Sequence, residues 1–328
     1  MMSWRIVYVS DVNHMSLNLN SLKIMKGDLE TKIPLSDIFA LVIEDLTTTI
    51  TARLLVELSD YNILVIFCNQ KHLPECTLQP VSGHFNQYTQ MKEQLKWDEA
   101  RKSELWKIII ENKIQNQIEC MKYLSIQSDR VDKMIELKNS VTLFDRNNIE
   151  GQAAKYYFNS FFEDFTRDNE EIIENAVLNY GYTILNSAIA RTIVAKGLIP
   201  AIGIHHIGGR NHFNLASDLI EPFRPIVDLF LLKHPPQDFL TKEYLVKIIN
   251  LLHARIEIDG KMQTVIRAIE IMIQSIIDYF KDGQLDRVKF PKLSKYSNSD
   301  RYACTYQTLR RNASRWLWLS SGTDLNYL

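Results

Sequence analysis

A chain of 328 residues with 46% hydrophobic content can bury a sizeable core, and at that length two domains are expected rather than one. A formal net charge of −1 with 23% charged residues is an ordinary soluble composition that announces no nucleic-acid binder by itself. The longest apolar runs fall far short of the ~20 residues of a membrane span, and no charged N-terminal segment leads into an apolar run, so neither an integral helix nor a signal peptide is expected.

Four cysteines, Cys68, Cys76, Cys120 and Cys304, form no CxxC pair, which argues against a zinc or disulfide framework and for a reducing cytoplasm.

In chain order, the first 80 or so residues read as β-rich. Trp4–Val9 is β-branched and aromatic, and Ser16–Asn20 alternates polar and apolar. Leu22–Met25 follows, then Lys26-Gly27-Asp28 supplies a turn. Phe39–Ile43 and Ile63–Cys68 are continuous apolar runs suited to strands buried on both faces. Between them, Thr51–Tyr61 carries helical spacing behind a Thr that can cap it. Beyond Pro80 and Gly83 long 3.6-residue periods take over, as in Trp106-Ile109-Ile110-Lys113-Ile114 and Ile172-Ile173-Ala176-Val177-Tyr180. The expected fold is therefore α+β: a β-rich domain over 1–83, a linker over 84–96 and a larger all-α domain over 97–328. From Gly283 to Trp316 eight Lys and Arg stand against two Asp, a basic stretch compatible with phosphate binding and equally with a solvated surface.

Three segments of the helical part concentrate polar chemistry. Around Glu150, the small residues Gly151, Ala153 and Ala154 leave room for a bulky partner, although Glu150 taken alone is also an ordinary first-turn acid favoured by the helix dipole. His205, His206 and His212 crowd a glycine-containing loop, where histidine can ligate a metal, act as a base or simply be solvated. In extended backbone neighbouring side chains diverge, so only one of His205 and His206 is expected to face a given site. Asp218 and Glu221 stand three apart, on one face if helical. Two carboxylates with an imidazole make an oxygen-rich donor set that suits Mg²⁺ or Mn²⁺, with zinc an open alternative.

Together these segments resemble the CRISPR-associated spacer-integration nucleases, the universal adaptation enzymes. The resemblance is carried by Glu150-Gly151-Gln152-Ala153-Ala154-Lys155-Tyr156-Tyr157, Asn175-Ala176-Val177-Leu178-Asn179-Tyr180-Gly181-Tyr182, Gly197-Leu198-Ile199-Pro200 running to His205-His206, and Asp218-Leu219-Ile220-Glu221-Pro222-Phe223-Arg224-Pro225. Lys113-Ile114-Gln115-Asn116-Gln117 is similar to a further family helix. The double histidine and the Glu-Pro-Phe form look most like the branch found with type II systems.

The resemblance implies a metal-dependent DNA endonuclease and integrase. Glu150, His206 and Glu221 would be the catalytic metal ligands and Asp218 an acid close behind them, with Mg²⁺ or Mn²⁺ as cofactor. The implied reaction is transesterification, a DNA 3′-hydroxyl attacking a phosphodiester of the repeat, and the absence of a GxxxxGK[ST] run agrees with a step needing no nucleotide. His206 must be neutral to bind metal, so activity is expected to fall in acid. Candidate DNA contacts are Lys155, His205, Arg210, Asn211 and Arg224 near the site, and Lys289, Lys292, Arg301, Arg310 and Arg311 further on, reading phosphates rather than sequence. Implied partners are double-stranded DNA, a second copy through the β-rich domain, and a dimer of a small ferredoxin-like adaptation subunit bridging two such dimers. The effector nuclease and other adaptation proteins are further candidates, and no membrane is involved. Two other readings remain from the residues: a catalytically silent DNA-binding scaffold of the same ancestry, and a hydrolase of small phosphoesters.

Overall fold

A computed structural model describes residues 5–70, 72–78, 80, 85–163, 165–167, 169, 172–297 and 318–319, with the backbone alone for 294–297 and 318–319. By its contacts the chain divides into two compact units, Met1–Gly83 with Asn298–Leu328, and His84–Ser297.

The first unit runs β1 (Arg5–Val9), β2 (His14–Asn18), β3 (Ser21–Lys26), β4 (Leu29–Pro34), β5 (Ile38–Ile43), β6 (Thr49–Ile50), α1 (Ala52–Asp60), β7 (Leu64–Cys68) and β8 (Pro74–Leu78). β1, β5 and β7 lie parallel with β5 central, and all six residues of IFALVI in β5 are buried. That is why the run is apolar throughout instead of alternating. β2, β3 and β4 form an antiparallel meander whose last turn closes on Gly27 at φ +56°. Thr51 caps α1, its hydroxyl accepting from the Leu54 amide at 3.3 Å. Leu54 and Leu58 of α1 join Val7, Met15, Leu22, Ile24, Leu41 and Val65 in one core between the sheets.

The second unit is mainly helical: α2 (Gln87–Gln94), α3 (Glu99–Tyr123), α4 (Ser128–Asn139), α5 (Ile149–Phe158), α6 (Ile173–Ala195), α7 (Asn214–Leu219), α8 (Arg224–Lys233), α9 (Lys242–Ile249) and α10 (Val265–Asp282). The β-first, helix-second layout is thus present. In addition the helical unit carries a small antiparallel sheet of β9 (Arg255–Ile258), β10 (Lys261–Thr264) and β11 (Lys292–Ser297). β9 and β10 have four residues each, too short for alternation to stand out in the sequence.

Two expected boundaries move. Residues 84–96 are not a bare linker: they contain α2, whose polar sequence QYTQMKEQ hides any apolar period. Gln94 is buried there, its amide donating to the Ile199 and Ile202 carbonyls at 3.0 Å and accepting from the Ile199 amide at 2.7 Å. At the other end the helical unit does not run to 328. β12 (Trp318–Leu319) pairs antiparallel with β1 in the first unit. Among the described residues no helix is long and apolar enough to cross a membrane.

Candidate active site

α3 is the spine of the site. Asp98 starts it by accepting from the Arg101 amide at 2.9 Å. Trp106 and Lys113, seven residues and hence ~10 Å apart along the axis, share a face. Three segments distant in sequence dock on that face.

The first is the start of α5. Phe144, Asp145 and Asn148 all have positive φ, so the chain turns sharply before the helix. Asp145, itself buried, spans the turn: Oδ1 accepts from the Ile149 amide and Oδ2 from the Glu150 amide, both at 2.9 Å. Asn148 caps the helix onto the Gly151 amide at 3.3 Å. Glu150 is thereby fixed in the first turn and its carboxylate meets the Lys113 ammonium.

The second is the turn Glu221–Phe223 between α7 and α8. Asn116, one turn beyond Lys113, donates to the Pro222 carbonyl at 2.8 Å and to Pro291 at 3.0 Å, which pins that turn to α3. Glu221 is buried; Oε2 lies 2.5 Å from the Lys113 ammonium and Oε1 accepts from Arg224 Nε at 2.9 Å. Oε2 nonetheless has no well-aligned hydrogen bond. Burial pushes Glu221 toward protonation, but the Arg224 guanidinium and then Lys113 outweigh it and hold the carboxyl below its ordinary value. Lys113 mirrors this: burial favours the neutral amine, and Glu221 and Glu150 together raise its pKa instead.

The third is the histidine loop. Asp218 on α7 is fully buried, and the loop wraps over its carboxylate. Oδ2 accepts from the Ile204 amide at 2.5 Å and His205 at 3.1 Å, and Oδ1 accepts from His206 at 3.0 Å. His206 Nδ1 lies 2.6 Å from Oδ1. Since Asp218 accepts at every other bond, Nδ1 carries the hydrogen and the Nε2 lone pair is left for another partner. That bond to Asp218 raises the His206 pKa above the ordinary histidine value. The two histidines do diverge in role. His205 stacks on Trp106 with centroids 4.3 Å apart and planes 7° apart, and His206 meets the same indole edge-on at 5.8 Å.

A supporting network explains the tyrosine-rich part of α6. Arg224 lies 4.5 Å from the Tyr182 ring centre, and Arg167 lies 5.3 Å from it. Arg167 in turn donates to Asn175 and Asn179, both at 2.7 Å. The Tyr182 hydroxyl donates to the buried Asp228 at 2.5 Å, and burial pushes that acid up to about 6.

Glu150 and Glu221 are therefore brought to one cation, and His206 with Asp218 stands beside them, near enough for the charges of His206 and Glu221 to act on each other. Among the described residues no three His, Cys, Asp or Glu side chains are grouped closely enough to hold a metal ion as they stand. The donor set nevertheless fits a divalent ion in kind: two carboxylates already share a positive charge, Glu221 Oε2 lacks an aligned donor, and Nε2 of a carboxylate-anchored imidazole is free to ligate.

Of the candidate DNA contacts, Lys155, Arg210 and Lys292 are exposed. His205 is exposed as well but stacks on Trp106, and Arg224 is committed to Glu221 and Tyr182. Asn211 shapes its own turn, bonding Ser217 at 3.1 Å and the Phe213 amide at 2.9 Å. Lys289 pairs with Asp259 at 3.1 Å. Arg301, Arg310 and Arg311 lie outside the described residues. Trp106, Lys113 and Asp145 had no assigned role in the sequence reading. The joint position of Trp106 and Lys113 on one helical face was the available signal for two of them.

Fold and site define a two-unit protein, β-rich then helical, in which Glu150 and Glu221 meet Lys113 of one long helix and His206, anchored by Asp218, stands beside them. The sequence pattern of the family "CRISPR associated protein Cas1" matches residues 7–265, and the chain belongs to that family. It is 33% identical over 300 residues to the CRISPR-associated endonuclease Cas1 of Neisseria meningitidis serogroup C (strain 8013), covering 89% of this chain and 97% of that protein. Among solved structures it is similar to a casposase bound to integration product, with TM-score 0.68, 20% identity, and 88% and 92% of the two chains covered. It is also similar to a chain of a Cas6-RT-Cas1–Cas2 complex, with TM-score 0.70, 20% identity and 88% of this chain covered. That second likeness spans 36% of the larger chain.

Proposed function

We propose that this chain is a divalent-metal-dependent DNA integrase and endonuclease of CRISPR adaptation, of the type II branch. It would insert foreign DNA segments into the repeat array. The observation that carries the reading is the meeting of Glu150 and Glu221 on one cation beside a His206 anchored by Asp218. Supporting it, the Neisseria relative is named an endonuclease and the casposase was captured with an integration product.

Glu150, Glu221 and Nε2 of His206 would hold Mg²⁺ or Mn²⁺; when bound, the ion supplies Lewis-acid charge to a non-bridging phosphate oxygen and a template for the reacting groups. Asp218 fixes the His206 tautomer so that its lone pair faces outward. Arg224 keeps Glu221 ionised within a buried setting. In the joining step a DNA 3′-hydroxyl oxygen attacks phosphorus, one P–O bond forms as another breaks, and the departing repeat strand keeps a 3′-hydroxyl. The proton lost by the attacker is balanced by the one the leaving oxygen gains, so no nucleotide is consumed. Water in place of the 3′-hydroxyl gives cleavage. Lys155, Arg210 and Lys292 are the exposed cations available for phosphates, with binding that weakens steeply in salt. By analogy with the Cas1–Cas2 complex, the chain would assemble with a small adaptation subunit, and the β-rich unit would supply the homodimer contact.

The test is joining of a 3′-hydroxyl DNA end into a supercoiled plasmid bearing leader and repeat. Glu150→Ala should abolish joining and keep duplex binding. A variant that joins as well as wild type would remove Glu150 from the catalytic set, and a wild-type chain that binds duplex but never joins would leave the scaffold reading in its place.

A further inference from the structure

Lys113 has the charge of a metal ion, not of a metal ligand. Its side chain is 7% exposed, and its ammonium bridges Glu150 and Oε2 of Glu221 while Arg224 takes Oε1. The four groups carry two positive and two negative charges, so the network, buried at Lys113 and Glu221 and partly exposed at Glu150 and Arg224, is already neutral. A dication entering between the carboxylates would stand within a few ångströms of the ammonium. In a half-dry site that repulsion is several times what water would allow. Ion and ammonium cannot share the position.

The backbone cannot resolve the conflict. Lys113 lies within the 25-residue α3, and Asn116 one turn later ties that helix to the Pro222 and Pro291 carbonyls. The flexible four-carbon stem of the lysine can move, whereas its Cα stays in place.

We propose that Lys113 is the resident counter-cation of the acid pair: it holds Glu150 and Glu221 together in the metal-free protein and competes directly with the divalent ion for their shared position. The proposal rests on the metal reading above. Without the lysine the two carboxylates repel each other, so the metal-free protein loses stability, while an arriving ion meets no competitor.

The test is Mn²⁺ titration of the full-length protein by calorimetry, with thermal unfolding measured in the presence and absence of Mn²⁺. Lys113→Met and Lys113→Gln should bind Mn²⁺ at least about tenfold tighter than wild type, as expected for loss of a like charge within a few ångströms. Both should melt lower without metal and gain more from it, whereas Lys113→Arg should stay near wild type. A folded Lys113→Met that binds Mn²⁺ no tighter than wild type overturns the proposal. If that variant does not fold, Lys113→Gln against Lys113→Arg carries the comparison, and equal affinity of those two overturns it. Absence of Mn²⁺ binding in wild type and folded variants alike would bring down the metal reading itself.

Discussion

Gly203 and Asp218 pack so closely that no side chain fits between them. A Cβ at position 203 would lie 2.7 Å from Asp218 Oδ2 and 2.4 Å from the His206 carbonyl oxygen. The closeness follows from what Asp218 does. A buried carboxylate must be surrounded by donors, and here the donors are the backbone amides of Ile204, His205 and His206, so the loop has to fold directly over the acid. The glycine allows that approach.

Gly203→Ala should therefore open the loop. The methyl group meets backbone oxygen, which cannot swing aside, and overpacking of this kind costs about 1–3 kcal/mol. Gly209→Ala, where nothing lies within 4 Å of the new Cβ, is the matched control and should stay within about 0.5 kcal/mol of wild type. Chemical denaturation of the two variants measures the contrast, and equal stability would contradict the packing described.

Asp218→Asn acts on the next atom outward. An amide presents N–H where the loop offers only N–H, so the hydrogen bonds on one side turn repulsive, and His206 loses the negative charge behind Nδ1. Metal affinity should fall about 10–100-fold, the usual range for loss of a carboxylate behind a ligating histidine. The His206 resonance, followed by NMR against pH, should titrate above the ordinary 6.5 in wild type and drop toward it in the variant. The sign of the linkage follows. A histidine raised on folding contributes stability that is full below 6.5 and lost as pH rises through the raised value. Metal binding runs the other way and strengthens over the same rise, because Nε2 must be free of its proton. A His206 pKa below 6.5 in wild type would reverse the stability trend and move the rise in metal binding to lower pH.

How much of this was visible in the sequence depends on whether a residue acts locally. β5 and β7 announce themselves by unbroken apolar runs, and Thr51 by its place before a helical period. Glu150, His206, Asp218 and Glu221 are recognisable because family motifs frame them, and three of the four sit in turns or first turns that the motifs spell out. Lys113 and Trp106 were masked by their surroundings. Both lie in an apolar helical period, and although Lys113 also opens a family-like motif, only the tertiary meeting with Glu150, Glu221 and the histidine loop gives the two residues chemistry. α2 was missed for the opposite reason, since its one buried polar anchor, Gln94, leaves no apolar stripe.

His253 gives the helical unit an acid limit independent of the site. Its ring is buried with Nε2 unpaired, and burial lowers its pKa to about 4. A depressed histidine contributes stability that is present above 6.5 and lost as pH falls toward 4. The full span corresponds to roughly 3 kcal/mol. His253→Phe should flatten the decline of thermal stability between those pH values, even if the variant is less stable at neutrality. An unchanged slope would mean that the imidazole is already protonated in the fold.

Asp145 offers the sharpest separation of position from chemistry, because it never reaches the acid pair and yet holds the backbone of Glu150. Its two oxygens each accept one amide, from Ile149 and from Glu150, in a turn where Asp145 itself has φ +47°. Asp145→Ala removes both acceptors and places a less tolerant residue at positive φ, so a loss of about 2 kcal/mol, at the upper end for a helix cap, is expected. Asp145→Asn keeps one acceptor and a residue type that accepts the left-handed conformation, so it should recover about half of that. The consequence for the site is the stronger test. With Glu150 free to drift in the first turn of α5, strand joining by Asp145→Ala should fall at temperatures where circular dichroism still shows a folded helix content, and Asp145→Asn should restore part of it. If joining follows global unfolding alone in both variants, Asp145 stabilises the turn without positioning Glu150.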